Sequence, residues 1–248
     1  RTLTVIQDTI DLVKQNQGID VKFDEKMNDP KVYKLWQNGE SVGIFQFESQ
    51  GMTNFMKELK PDCLEDIIAG VSLYRPGPMD QIPRYIANKK DPEHAVYTHP
   101  ALKPILEVTY GCMVYQEQVM QIVRDLAGYS LGRADLVRRA MGKKKLDVMA
   151  KEREIFIHGQ IDENGNIVVP GCIRNGIDEQ SANKIFDEMA EFAKYAFNKS
   201  HAAAYAVISF RTAYLKAYYP TEFMAAMLNS FLGNLDKVPG YIEECKRL

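Results

Sequence analysis

The sequence has few of the features that would identify a chemistry directly. Cysteine is scarce: Cys63, Cys112, Cys172 and Cys245 are the only four, far apart, with no C-x-x-C pair and no histidine at zinc-ligand spacing. That pattern excludes a zinc knuckle and a disulfide-stapled scaffold, and it predicts reduced thiols in a cytoplasmic protein. There is no D-x-D pair, so the grouped carboxylates of two-metal phosphoryl transfer are missing and no metal site is expected. The phosphate loop G-x-x-x-x-G-K-[ST] and the dinucleotide fingerprint G-x-G-x-x-G are both absent. Nothing supports a Ser-His-Asp or Cys-His nucleophile, and neither RNP nor KH patterns occur. No run of 18 apolar residues exists, which excludes a membrane-spanning helix. Strong net charge is lacking as well. A formal charge of −2 argues against a wholly basic nucleic-acid coat while leaving room for a local patch.

What is present reads as a soluble helical protein. The 248 residues are 46% hydrophobic and 26% charged, enough to build one large core. "RTLTVIQDTIDLV" reads as helix from the outset with no signal segment, so the chain is expected to be a piece of a longer protein. Leu3, Ile6, Ile10 and Val13 share one face of a helix over 2–17, which Gly18 stops. A short helix ends at Asn38-Gly39. "SVGIFQFES" reads as extended, followed by a helix around Met52–Leu59, and Pro61 opens another that runs to about Leu73. "YRPGPMDQIPRYI" interrupts regular structure, and a lysine- and proline-rich connector follows it. Val119, Ile122, Val123 and Leu126 line a helix over 114–126. Ser130 caps the next, to about Met141, and another spans Asp147–Phe156. Glu163-Asn164-Gly165-Asn166 between apolar flanks signals a hairpin near 157–169. A long helix follows over 178–197, then one capped by Ser200 and stopped before Pro220, then two more. The fold class is therefore mainly α: about ten helices with one small β-hairpin, a single domain over 1–248, lobed near 75–110.

Three places concentrate cationic groups. Residues 133–153 hold eight basic side chains against three acidic ones, a local charge of +5, and five of the eight residues in "RRAMGKKK" are basic. Helical spacing puts Arg138 within the stripe of Leu131, Ala134, Val137 and Met141, whereas Arg139 can pair with Asp135 one turn earlier. An arginine on an apolar face must snorkel out, find a carboxylate or meet an anionic ligand, and its fork suits phosphate oxygens. Gly142 can end the helix left-handed and turn Lys143, Lys144 and Lys145 off its axis. Taken alone, the cluster is explained better by basic residues complementing a helix dipole. In "YRPGPM", Pro76 and Pro78 stiffen the loop that carries Arg75, as a ligand clamp or a structural corner. In "FNKSHAAAYA", Asn198, Lys199, Ser200 and His201 open a helix whose amides suit an anion, with Tyr205 one turn on and able to stack on a base.

"VGIFQFES-GM", "SLYRPGPM", "VYQEQVMQI", "LVRRAMGKKK" and "FNKSHAAAYA…YLKAYYPTEFMAA" occur in this order from about Val42 to Leu228. Together they resemble the alpha subunits of bacterial DNA polymerase III, the family C replicative DNA polymerases. The resemblance implies a fingers domain that binds the incoming dNTP and the templating base during DNA-templated synthesis. It implies that the catalytic carboxylates and their Mg²⁺ ions belong to a palm domain outside this chain, so the isolated piece is expected to be inactive. It further implies that Arg75, Arg138, Arg139, Lys143, Lys199, Ser200 and His201 bind nucleotide, while Lys144, Lys145, Asn198 and Tyr205 contact template or DNA. Primer-template DNA, the palm and other replicase subunits are the implied partners. A purely structural or partner-binding helical module is the alternative for the isolated chain.

Overall fold

The computed structural model describes residues 1–143 and 146–248. In chain order, its described α-helices are α1 (Thr2–Gln17), α2 (Pro30–Asn38), α3 (Gln50–Leu59), α4 (Leu64–Leu73), α5 (Ile82–Lys90), α6 (Lys103–Leu106), α7 (Gln116–Ala127), α8 (Leu131–Gly142), α9 (Leu146–His158), α10 (Glu179–Ala193), α11 (Lys199–Tyr218), α12 (Pro220–Ser230) and α13 (Val238–Arg247). Between α9 and α10, β1 (Gln160–Ile161) pairs antiparallel with β2 (Ile167–Val169), Gln160 opposite Val169. The fold is thus mainly α with one small hairpin, and it has more helices than the sequence spacing suggested.

Local chemistry sets most helix ends. The Asp29, Ser49, Ser130 and Asp178 side chains each accept a backbone N–H at a helix start. Gly18, Gly39 and Gly128 close α1, α2 and α7 in the left-handed conformation.

Several expectations need correction. In α1 the buried positions are Val5, Ile6, Thr9 and Val13, while Leu3 is exposed. The stripe is rotated because Thr9 can enter the core, its hydroxyl donating to the Val5 carbonyl at 2.7 Å. Residues 41–49 are consecutive turns, not extended chain: Ile44 N–H donates to Ser41 O, Phe47 N–H donates to Ile44 O, and Gly43 and Gln46 have positive φ. Pro61 lies ahead of α4, where its carbonyl accepts the Gln37 amide at 2.8 Å. Within "YRPGPMDQIPRYI", a 3-10 turn at Pro78–Gln81 leads into α5, because Pro83 sits in the first turn, where a missing N–H costs nothing. The helix over 178–197 stops at Ala193. Ser200 lies inside the first turn of α11, which begins at Lys199.

The chain forms two compact units, residues 1–71 with 201–248, and residues 72–200. In the first, Val5 and Ile6 of α1 pack with Leu215 of α11, Phe223, Met224, Ala226 and Met227 of α12, and Tyr241 of α13. An aromatic group, Tyr33, Trp36, Phe47 and Phe210, fills the rest, with ring centroids 5.6–5.8 Å apart. In the second unit, Val119, Ile122, Val123 and Leu126 of α7 meet Ala134, Val137 and Met141 of α8, Phe156 of α9, and Ile185, Phe186 and Met189 of α10. The hairpin crosses closely at Gly159 and Gly171: both have positive φ, and a Cβ on Gly171 would lie 2.3 Å from the Gly159 nitrogen.

One buried ion pair fastens the first unit. Lys216 on α11 has a fully buried side chain that reaches Glu244 of α13 at 2.6 Å. Its ammonium also donates to the carbonyls of Glu40 and Val42, both at 2.7 Å. Arg247 forks onto Glu244 from one helical turn away. Burial draws the Lys216 pKa below its ordinary value, with Glu244 pulling the other way. Burial alone would raise Glu244, but hydrogen bonds from Arg247 and Lys216 hold its carboxyl below the ordinary 4.5. A carboxyl depressed on folding contributes stability above its unfolded pKa and loses it as pH falls through the folded value. Denaturant unfolding of the chain should therefore weaken progressively below about pH 4.5. Glu244→Gln should cost about 3 kcal/mol at pH 7 by stranding Lys216, and should flatten that acid dependence.

Candidate phosphate-binding site

Arg75 stands on a loop whose shape is forced. Gly77 has φ 99°, and a Cβ there would fall 2.4 Å from a ring carbon of Tyr195, so only glycine fits. Pro76 and Pro78 restrict the residues around it. The Arg75 guanidinium lies 3.9 Å above the Phe197 ring centroid. Its Nε donates to Ser72 O and its Nη2 to Tyr195 O, both at 3.2 Å. Partial burial lowers its pKa from the usual 12.5, yet a guanidinium remains charged throughout the accessible range. Arg75 is thus fixed against the 195–197 segment.

Asp135 holds both arginines of α8. Its Oδ1 accepts from Arg138 Nε at 3.1 Å and Nη2 at 2.7 Å, and its Oδ2 accepts from Arg139 Nε at 2.8 Å. Arg138 Nη1 donates to the Gln116 side-chain carbonyl at 3.2 Å. The hydrogen bond from Arg138 leads the influences that hold the Asp135 carboxyl below its ordinary value. The Arg139–Asp135 pair expected from the sequence is present, and of the outcomes left open for Arg138 the structure shows a carboxylate partner, the same Asp135. Leu131, placed in the same stripe, is exposed, and Ala134, Val137, Ala140 and Met141 form the buried face. The side chain of Arg138 is 22% exposed and that of Arg139 61%, so one is oriented by the protein and the other is open to solvent. Two guanidinium groups on one carboxylate leave a net positive charge at this point.

Gly142 is not left-handed. It is the last residue of α8, and Lys143 follows with φ −88°, its N–H on the Arg139 carbonyl. A Cβ there would sit 3.4 Å from Ala193 O, an ordinary contact, so packing does not require glycine at this position. Lys143 is exposed. Lys144 and Lys145 lie outside the described residues.

The start of α11 already carries an anion. Both carboxylate oxygens of Glu117 accept the Lys199 N–H, at 3.2 and 3.0 Å, and Oε1 also accepts the Asn198 amide at 3.0 Å. The positive helix end that sequence spacing offered to a ligand is therefore faced by the protein's own carboxylate. The Lys199 ammonium lies 5.1 Å from the Tyr115 ring centroid, and Ser200 is exposed. In the first unit, the exposed His201 ring lies 4.4 Å from that of Tyr205, which also packs on Phe45 at 5.3 Å.

The first turn of α7 draws these elements of the second unit together. Tyr115 bridges Phe197, Gln116 N–H donates to Phe197 O at 2.8 Å, and the Gln116 side chain donates to Ala196 O at 3.1 Å while accepting from Arg138. Gln118 accepts the N–H groups of Val114 and Tyr115 and fixes the turn. Sequence reasoning missed Gln116, Glu117 and Phe197 as site residues. The available signal was a Gln-Glu pair at a helix start, inside a motif quoted only for its resemblance.

Two other features do not fit phosphate. A cavity of about 420 Å³ is lined by Gly77, Arg84, Met113, Phe192 and Tyr195, but Asp80, Glu188 and Glu191 make its wall net negative. Among the described residues, the metal-capable group is Asp62, Cys63 and Asp66. Burial pushes the Cys63 thiol up to about 11, so it stays protonated, and a thiol suits a hard Mg²⁺ poorly. These residues do not fit the Mg²⁺ implied by the resemblance.

A family model described as the bacterial DNA polymerase III alpha subunit finger domain matches residues 2–164. The chain is 48% identical over 254 residues to a DNA polymerase III subunit alpha of Thermus aquaticus, covering 100% of this chain and 20% of that protein. It is 51% identical over 247 residues to that of Rickettsia felis (99% and 19%), and 46% identical over 263 residues to that of Pasteurella multocida (100% and 21%). The chain thus spans about a fifth of these relatives' length.

Gly77→Ala should test the forced loop: strain plus the Tyr195 clash should lower stability by about 2–4 kcal/mol in denaturant unfolding, and release Arg75 from Tyr195 O.

Proposed function

The chain belongs to the bacterial DNA polymerase III alpha subunit finger-domain family, and on that premise we propose that it binds the triphosphate of an incoming dNTP within the intact polymerase. The observation that carries this reading is the pair of arginines sharing Asp135. Their charge exceeds what one carboxylate neutralises, and one fork is held in place while the other is open. The β- and γ-phosphates of a nucleotide supply the missing negative charge. Arg75 and Lys143 add to the same cationic wall, and Lys199, Ser200 and His201 flank the nucleotide. Asn198, Tyr205, Lys144 and Lys145 are the residues we assign to template or DNA contact.

In primer extension the 3′-hydroxyl gives its proton to solvent, its oxygen bonds to the α-phosphorus, the bond from that phosphorus to the bridging oxygen breaks, and pyrophosphate leaves with the charge. Arginines already aimed at that leaving group stabilise it without reorganising, which is electrostatic catalysis by a pre-set environment. The carboxylates for Mg²⁺ belong to parts of the polymerase beyond this chain. The protein works as part of a cytoplasmic replicase with primer-template DNA, the palm and further subunits as partners.

The satisfied geometry of Arg75 and the Glu117 carboxylate at α11 favour a structural share for that part of the wall. Arg138 and Arg139 therefore carry the test. Arg138→Ala in the intact polymerase should lower single-turnover incorporation at least tenfold, a loss of about 2–4 kcal/mol in the transition state, with normal folding. Wild-type rates in that variant would contradict the reading. The 248-residue chain alone should extend no primer in the presence of Mg²⁺, while retaining weak, salt-sensitive binding to nucleotide or DNA.

A further inference from the structure

We infer that Gln116 is a positioning residue that holds Arg138 in register with the 195–197 segment, so that one side-chain amide couples the phosphate-facing arginine to the wall that carries Arg75. The inference rests on the nucleotide reading of Arg138. It goes further by assigning a role to a neutral residue outside the cationic set.

The Gln116 amide is used at both ends. Its carbonyl oxygen accepts Arg138 Nη1 at 3.2 Å, and its nitrogen donates to Ala196 O at 3.1 Å. Its backbone N–H donates to Phe197 O at 2.8 Å. Phe197 in turn supports the Arg75 guanidinium at 3.9 Å, and Tyr195 O accepts from the same guanidinium. Asp135 alone fixes Arg138 through Nε and Nη2. Gln116 takes the third nitrogen, which settles the guanidinium plane and leaves one N–H on each of Nη1 and Nη2 for a ligand. A neutral amide suits this task. A carboxylate in its place would compete with phosphate for Arg138, whereas an amide carbonyl orients the cation and leaves its charge available. One hydrogen bond from a guanidinium to a neutral amide has a limited effect beside the two to Asp135, so the residue should tune the site without abolishing it.

The test is a double-mutant cycle in the intact polymerase, reading kcat/KM for dNTP incorporation, primer-template affinity and thermal unfolding. Gln116→Met, similar in volume, should lower kcat/KM for dNTP by about three- to tenfold. DNA affinity and melting temperature should stay unchanged. In an Arg138→Ala background the same substitution should add less than about twofold, because its effect passes through the arginine. Gln116→Glu keeps an oxygen for Arg138 but competes with phosphate and loses the donor to Ala196 O, so it should recover none of the loss. Gln116→Asn, too short to reach, serves the same cycle if the methionine variant does not fold. An undiminished Gln116 effect in the Arg138→Ala background, or no effect of either shortened or apolar substitution, overturns the inference while leaving the nucleotide reading intact. An Arg138→Ala enzyme with wild-type kinetics overturns both.

Discussion

A guanidinium cannot shed its charge, so every arginine at a packed surface must face an oxygen, either the protein's own or a ligand's. In the second unit that constraint is met unevenly. Arg75 has two backbone carbonyls and an aromatic face. Arg133 reaches Glu152 and Gln160, and Arg153 reaches Asp187. Arg138 and Arg139 divide a single carboxylate. Arg133 and Arg153 tie α8, α9 and α10 together, whereas Arg138 and Arg139 leave one positive charge over after Asp135. The first turn of α7 keeps that imbalance fixed in space, since Gln116 and Glu117 tie Arg138 and the start of α11 to one short stretch of backbone.

The same logic divides the two units by the job their charges do. In the first, Lys216 is fully buried and Glu244 nearly so, joined by two backbone carbonyls and Arg247. Such a pair adds little net stability compared with apolar packing, but it is costly to leave half-made, so it enforces one arrangement of α11 against α13. In the second, the charges near Asp135 remain partly solvated, where a ligand can reach them.

The elements that local chemistry controls were legible in the sequence. The spacing of Val119, Ile122, Val123 and Leu126 places α7, and Ser130 and Gly18 mark helix ends as expected. The hairpin follows from its Asn-Gly turn. Where a proline has two meanings, the reading failed: Pro83 opens a helix that "YRPGPMDQIPRYI" was taken to interrupt. Residues 41–49 read as extended, yet positive φ at Gly43 and Gln46 folds them into turns. For the site, the cationic residues stood out by charge alone, and the family resemblance on their motifs is upheld by the comparisons. Their partners did not stand out. Gln116 acts on residues 22 and 80 positions away, and Glu117 on residues more than 80 away, and no local pattern records such pairings. An anion-ready helix start could be read from sequence, but not that the protein's own carboxylate already faces it.

The central claim is that the two arginines on Asp135 are where negative charge from a nucleotide settles. The most direct measurement is a dNTP titration of the ¹⁵N-labelled chain, following the arginine Nε–Hε signals. The account predicts shifts concentrated at Arg138 and Arg139, with smaller ones at the Gln116 side-chain amide, all weakening as salt rises. Shifts scattered over the surface, or confined to residues remote from α8 while Arg138 and Arg139 stay still, would contradict it.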